Sequence, residues 1–204
     1  MYCLQKFFCR GIVGLLLIYT IALILFKGVF PPMTHNKNHS NKLPVLIKLL
    51  SFIPTALLLF LIFGFSAQDG ESSGSLSFQI SLFLVRLASP LLPAAMSEEV
   101  LIERAELIHY FVRKAAHMTE YFLLALSLQL PFAAFSSGRL SMKIRILLGF
   151  AATILFAALD EFHQSFVPGR SGNLTDVCID SAGALIASLC LIIFYSIYQK
   201  KLAR

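Results

Sequence analysis

Five apolar runs, each near the length needed to cross the hydrocarbon of a bilayer, constrain this chain more than any motif in it. They occupy residues 11–30, 43–65, 115–135, 144–162 and 177–198. A helix needs roughly 20 apolar residues to cross about 30 Å of hydrocarbon, and in lipid each backbone N–H and C=O must find its partner within the protein. The runs therefore predict an all-α fold, a multi-pass transmembrane helical bundle of about five spans. Composition agrees. The chain is 57% hydrophobic and 14% charged, against roughly 25% charged residues in soluble domains. Trp is absent and Phe abundant, so Tyr and Phe are left to form the interfacial belts.

Between the second and third runs, residues 66–113 read differently. The stretch opens with the turn formers SAQDGESSGSLS, continues into an amphipathic segment over 78–92 bounded by Pro90 and Pro93, and resumes at Glu98 and Glu99. Leu101, Ala105, Ile108 and Val112 recur at helical spacing, with Glu99, Glu103 and Glu106 mostly off that stripe. The expectation is one or two amphipathic helices lying on the membrane surface. Within the second run, Lys48 is placed to snorkel and Pro54 predicts a kink. The first run follows Lys6 and Arg10, and no small-residue cleavage site stands in PPMTHNKNHSNK, so a retained helix is expected. The domain reading is an additional N-terminal transmembrane helix with a basic loop over 1–42, a membrane domain over 43–198, and a basic tail over 199–204.

A net charge of +6 raises nucleic acid as a partner. The basic residues instead sit at the ends of apolar runs (Arg139, Lys143, Arg145, Lys200, Lys201), and no basic stripe with interleaved aromatics occurs. Membrane lipids are the expected partners. With the C-terminus inside, ten Lys and Arg of the short loops fall inside and three outside, which for five spans implies N-out and C-in. The 66–114 stretch and the 166–176 connection then face outward. The cysteines form no framework. Cys178 and Cys190 lie about 18 Å apart along one helix, and Cys3 and Cys9 precede the first run.

Three short stretches hold the intramembrane charge. In RKAAHMTEY, Arg113, His117 and Glu120 fall within roughly a 60° arc of a helix, beside Lys114. In LDEFHQ, Asp160 and Gln164 share a face, with Glu161 and His163 adjacent. At the start of the fifth run, Asp176, Asp180, Gly183 and Ala187 share a face, and the small residues suit a close helix neighbour. The tight connection VPGRSGN joins the fourth and fifth runs and carries Arg170. All three stretches lie at one membrane face. A charge at the centre of a span costs at least about 2.5–3.5 kcal/mol on insertion scales, so these groups are expected to converge.

Several readings of the cluster stand at this point. His117 and Glu120 at i, i+3 could ligate a metal with His163, Asp160, Glu161, Asp176 or Asp180. His117, Glu120, Asp160 and Asp176 are candidates for acid–base catalysis. Arg170 and the glycines flanking it could hold a phosphate or carboxylate. The network could also only lock three helices together, since buried ionic groups must be paired. The residues name no cofactor and no reaction.

RKAAHMTEY together with LDEFHQSFVPGRSGNLTDVCIDSAGA resembles the VanZ-like family of bacterial integral membrane proteins, and FGFSAQDGESSGSLS resembles a subgroup of it. The resemblance covers about residues 43–193, and the spacing D-E-x-x-Q-x-F-x-P-G-R-x-x-x-x-x-D is specific. The family is named for a protein that lowers susceptibility to the glycopeptide teicoplanin. The resemblance implies a bacterial cell-membrane protein whose motif is Arg113, Lys114, His117, Glu120, Asp160, Glu161, Gln164, Arg170 and Asp176, with Asp180 beside it. The expected role is binding of a lipid, a lipid-linked wall precursor or a lipoglycopeptide at the outer leaflet. The alternative is a membrane-embedded hydrolase or transferase on the same class of substrate.

Overall fold

A computed structural model describes residues 44–91, 96–136 and 139–202 of the chain. The run over 11–30, and the orientation argument that used its flanking charges, lie outside these residues. Seven α-helices follow in order: α1 Val45–Leu50, α2 Ile53–Ser66, α3 Gly70–Ala88, α4 Glu98–Ser127, α5 Gln129–Ser136, α6 Met142–Gln164 and α7 Leu174–Leu202. The described residues contain no strand.

Local chemistry sets the boundaries. Pro54 enters the first turn of α2, where its missing N–H costs nothing, and the chain breaks from α1 at Ser51–Phe52. The expected kink is thus a helix break. α3 begins at Gly70 because the Asp69 carboxylate caps it, accepting from the Ser72 N–H at 2.7 Å. α4 runs 30 residues without a breaker, about 45 Å. It stops at Ser127, whose carbonyl would need an N–H from Pro131.

Pairs of contacts fix the directions. Lys114 meets Asp176, Met118 backs onto Gly183, and Leu126 packs near Leu191, so α7 runs parallel to the later half of α4. A Cβ on Gly183 would stand 2.0 Å from the Met118 carbonyl oxygen. With Ala125, Ala184 and Ala187 also buried there, small residues let the two helices approach closely. Thr55 hydrogen-bonds Ser127 at 3.1 Å and Ser66 meets Asp160, so α2 runs antiparallel to α4 and ends beside the end of α6. Leu58, Ile62, Tyr121, Leu124, Leu128 and Ala157 fill the centre of this bundle. Phe60, Leu147, Leu155 and Ile193 point outward, as lipid-facing residues do.

The remaining helical segment, 70–112, is a hairpin. Arg86 pairs with Glu98, so α3 lies antiparallel to the first half of α4. Both begin or end at the level of residue 113 and extend beyond the bundle. Among the described residues, five helices are long and apolar enough to cross a membrane, Gly70–Leu91 being one of them. Connectivity places Gly70–Leu91 in the hairpin, on the far side of the end where α2 and α6 finish. The amphipathic segment expected over 66–113 thus forms two antiparallel helices, the second continuous with the bundle helix that follows it. Its cause is local. Asp69 makes the turn formers GESSGS the first turns of α3, and α4 passes unbroken from Glu98 into the bundle.

Candidate functional site

All eleven Asp and Glu residues of the chain lie at the end where α2 and α6 finish and α7 starts, or on the hairpin above it. At the opposite end the described charges are all basic: Lys48, Arg139, Lys143, Arg145, Lys200 and Lys201. The amphipathic stripe of α4 carries Arg113, Lys114, His117 and Glu120 into the acidic end.

Asp160 is its best-anchored member. It is fully buried, and its Oδ2 accepts from Ser66 Oγ at 2.7 Å and from Gln164 Nε2 at 3.0 Å. Gln164 also donates to Ser66 Oγ at 3.3 Å. Tyr121, equally buried, places its hydroxyl beside the Asp160 carboxylate outside strict hydrogen-bond geometry. Glu161 Oε2 accepts from the Asn173 N–H at 2.9 Å, fastening the 165–173 connection to the end of α6. Lys114 Nζ lies 2.5 Å from Asp176 Oδ1 and over the Tyr110 ring. His117 Nδ1 stands 3.6 Å from Glu120 Oε2.

Arg170 donates to the Phe65 carbonyl at 3.2 Å. Its Nε and its other terminal nitrogen are buried without a hydrogen-bond partner. Asp160, Glu161, Asp69 and Arg113 lie within electrostatic range of it. Burial and the nearby Arg113 charge act to lower the affinity of its guanidinium for its proton. The connection holding Arg170 is itself tied down, as the Gly70 N–H donates to the Pro168 carbonyl at 3.1 Å. Gly169 adopts φ +71°, the left-handed region that glycine enters without strain.

Asp180, 1% exposed, has one carboxylate oxygen without a partner. The charges that act on it are all acidic: Glu161, Asp160, Glu120 and Asp176. The structure thus brings Arg113, Lys114, His117, Glu120, Asp160, Glu161, Gln164, Arg170, Asp176 and Asp180 to one end of the bundle. It leaves His163 out. That ring lies on the exposed face of α6 with its edge against Phe63. Among the described residues no three His, Cys, Asp or Glu side chains converge closely enough to hold a metal ion. Among the described residues, the pairs within 4 Å at the site are Lys114–Asp176 and His117–Glu120.

Ser66, Tyr121 and the Asn173 backbone join the cluster without having been chosen from sequence. Ser66 closes an apolar helix at the start of a turn-rich stretch, and its bond to Asp160 spans 94 residues of chain. A groove of about 500 Å³ lined by Gly74, Phe78, Glu103, Glu106, Leu107 and His109 lies in the hairpin, away from the cluster.

A family model described as VanZ/LLP1 matches residues 13–195, most of the chain. The match takes in residues 13–42 as well as the part that carries the motifs. No curated protein and no solved structure matches the chain.

Proposed function

The chain belongs to the VanZ-like family, and on that premise we propose that it is a cell-envelope protein that binds an amphiphilic ligand at the outer leaflet. The ligand is a lipid, a lipid-linked wall precursor or a lipoglycopeptide, and lowered susceptibility to teicoplanin-type glycopeptides is the cellular consequence. One observation carries the reading: at the charged end of an otherwise apolar bundle, two buried guanidinium nitrogens of Arg170 lack a protein partner. Arginine presents a planar fork suited to phosphate or carboxylate. Leaving such donors buried and unpaired costs about 1–3 kcal/mol or more, which a bound anion would recover.

Orientation supports the same reading. Basic residues collect on the cytoplasmic side of membrane proteins, and the end opposite the cluster carries Lys48, Arg139, Lys143, Arg145, Lys200 and Lys201 without an acidic residue among the described ones. The cluster then faces the extracytoplasmic side.

The test is binding of anionic phospholipid by the purified protein, followed by native mass spectrometry, for the wild type and Arg170→Ala. The variant should bind about tenfold more weakly, the scale of one charge-assisted hydrogen bond. Undiminished binding by Arg170→Ala would remove the anion site. The alternative, a hydrolase or transferase, draws on the His117–Glu120 pair. It predicts product formation from a lipid-linked precursor that His117→Ala and Glu120→Gln abolish while both variants still bind.

A further inference from the structure

The groove in the hairpin shares no residue with the charged cluster, and its lining follows from the register of the two helices. Arg86 pairs with Glu98 across antiparallel α3 and α4. Twelve residues back along α3 and twelve forward along α4 bring Gly74 level with Tyr110, and Phe78 level with Glu106. Gly74 leaves a gap there, since a Cβ at that position would meet nothing within 4 Å. Ser77 does not reach across it, because its hydroxyl donates to the Gly74 carbonyl at 2.9 Å on its own helix. The space that results, about 500 Å³, has the volume of an ordinary small-ligand site.

The polar side chains lining the groove all accept hydrogen bonds. Glu103 and Glu106 are exposed carboxylates, and neither enters an ion pair among the described residues. His109 Nδ1 lies 2.7 Å from the Glu106 carbonyl oxygen. A carbonyl only accepts, so Nδ1 holds the proton and Nε2 of the neutral ring is left as an acceptor. Glu103, Glu106 and His109 follow one another at three-residue steps, which on a helix separates neighbouring Cβ atoms by about 5–6 Å. No Lys or Arg lines the groove. Leu107 and the half-buried Phe78 supply its apolar surface.

We propose that this groove is a second binding site, for an organic ammonium ion carried on an apolar body. The ammonium donates to the Glu103 and Glu106 carboxylates, and the apolar part lies against Phe78 and Leu107 in the gap left by Gly74. The face of the Phe78 ring also attracts a cation brought within about 6 Å of it. An anion would meet two carboxylates and no side-chain donor. A neutral molecule of the same shape would gain the apolar contacts and lose the charge-assisted bonds, which are the stronger ones. A hydrated inorganic cation would gain nothing from Phe78 and Leu107. The site does not depend on the amphiphile reading of the cluster, and either can fail without the other.

The experiment titrates the full chain in a non-ionic detergent with three probes of one shape, 4-phenylbutylamine, 4-phenylbutanol and 4-phenylbutyrate, followed by ligand-observed NMR. The wild type is expected to bind the amine about tenfold more tightly than the alcohol, and the carboxylate more weakly than either. The double variant Glu103→Gln with Glu106→Gln should bring the amine down to the alcohol. Gly74→Leu, which fills the gap, should weaken amine and alcohol together by at least tenfold. Glu99→Gln removes an exposed carboxylate of the same helix outside the groove and should change nothing. Circular dichroism and thermal melting establish that each variant is folded. If Gly74→Leu does not fold, the two Gln substitutions, at exposed positions, decide with Glu99→Gln as their control. Equal binding of amine and alcohol by the wild type overturns the proposal. So does amine binding that survives in the folded groove variants, or that falls as far in Glu99→Gln as in the double variant, which would reduce it to general surface charge.

Discussion

The backbone N–H of Gly70 donates to the carbonyl oxygen of Pro168, 3.1 Å away, and so joins the first residue of the hairpin to the loop that carries Arg170. The backbones are close enough that a Cβ on Gly70 would lie 2.1 Å from the Gly169 oxygen. Gly70→Ala must push these segments apart, at a cost of about 1–3 kcal/mol. One turn on, nothing stands within 4 Å of a Cβ on Gly74. Gly74→Ala should therefore gain about 0.5–1 kcal/mol of helix propensity. Thermal unfolding of the two variants in detergent should shift in opposite directions. A shared direction would show that the hairpin is not anchored at this contact.

Asp160 holds two donors at once. Asp160→Ala strands Ser66 and Gln164 in the bundle and should cost about 1–3 kcal/mol for each unpaired group. Asp160→Asn retains an acceptor oxygen and should cost less than half as much. In a double-mutant cycle, Ser66→Ala and Asp160→Ala should couple by about 1 kcal/mol. Additivity within about 0.3–0.5 kcal/mol would mean that the two side chains do not interact.

Lys114 and Asp176 join the hairpin-bearing helix to the start of α7 through an ion pair with side chains 18% and 24% exposed. Reversing one charge should lower stability by about 1 kcal/mol, and the swap of both, Lys114→Asp with Asp176→Lys, should recover at least half. Melting curves at low and high salt check this. No recovery in the swap would assign the loss to other contacts of these positions, such as Lys114 over Tyr110.

Acid should loosen the hairpin at its N-terminus. Asp69 sits in the loop before α3, and the Ser72 backbone N–H and hydroxyl hold its carboxyl below the usual aspartate range. A carboxylate with a folded pKa below its unfolded value stabilises the fold above that unfolded value and loses the contribution as pH falls through the folded one. Hydrogen exchange of residues 70–76 should therefore speed up below about pH 4, beyond the intrinsic pH dependence of exchange. Asp69→Asn, which still accepts as a cap, should remove this acid sensitivity. An unchanged profile in the variant would place the titrating group elsewhere.

Much of the site was legible before any coordinates. The 3.6-residue period puts Arg113, His117 and Glu120 on one face of α4, and Asp160 with Gln164 on one face of α6. The cost of bare charge in lipid argues that such faces meet. The hairpin was less legible. A turn-rich GESSGS reads as loop until Asp69 is seen to cap it, and charged residues 98–113 read as a separate surface helix when nothing marks the absence of a break before Ala115. Ser66 and Tyr121 carried no mark of their own, because a single serine or tyrosine at a helix end is compatible with lipid, loop or site. His163 shows the reverse case. It stands beside the motif in sequence, yet one helical position turns it to the outer face of α6.

Apolar length and composition alone determined that this chain is helical and membrane-spanning, because a lipid environment leaves an unpaired backbone no other solution. Periodicity determined which polar residues share a face, since that follows from one helix by itself. Tertiary structure decided which faces meet, that α3 and the first half of α4 extend beyond the bundle, and which polar atoms of Arg170 and Asp180 remain without partners. Those outcomes depend on contacts between residues up to about a hundred positions apart, as Arg170 and the Phe65 carbonyl are, and no local rule of spacing contains them.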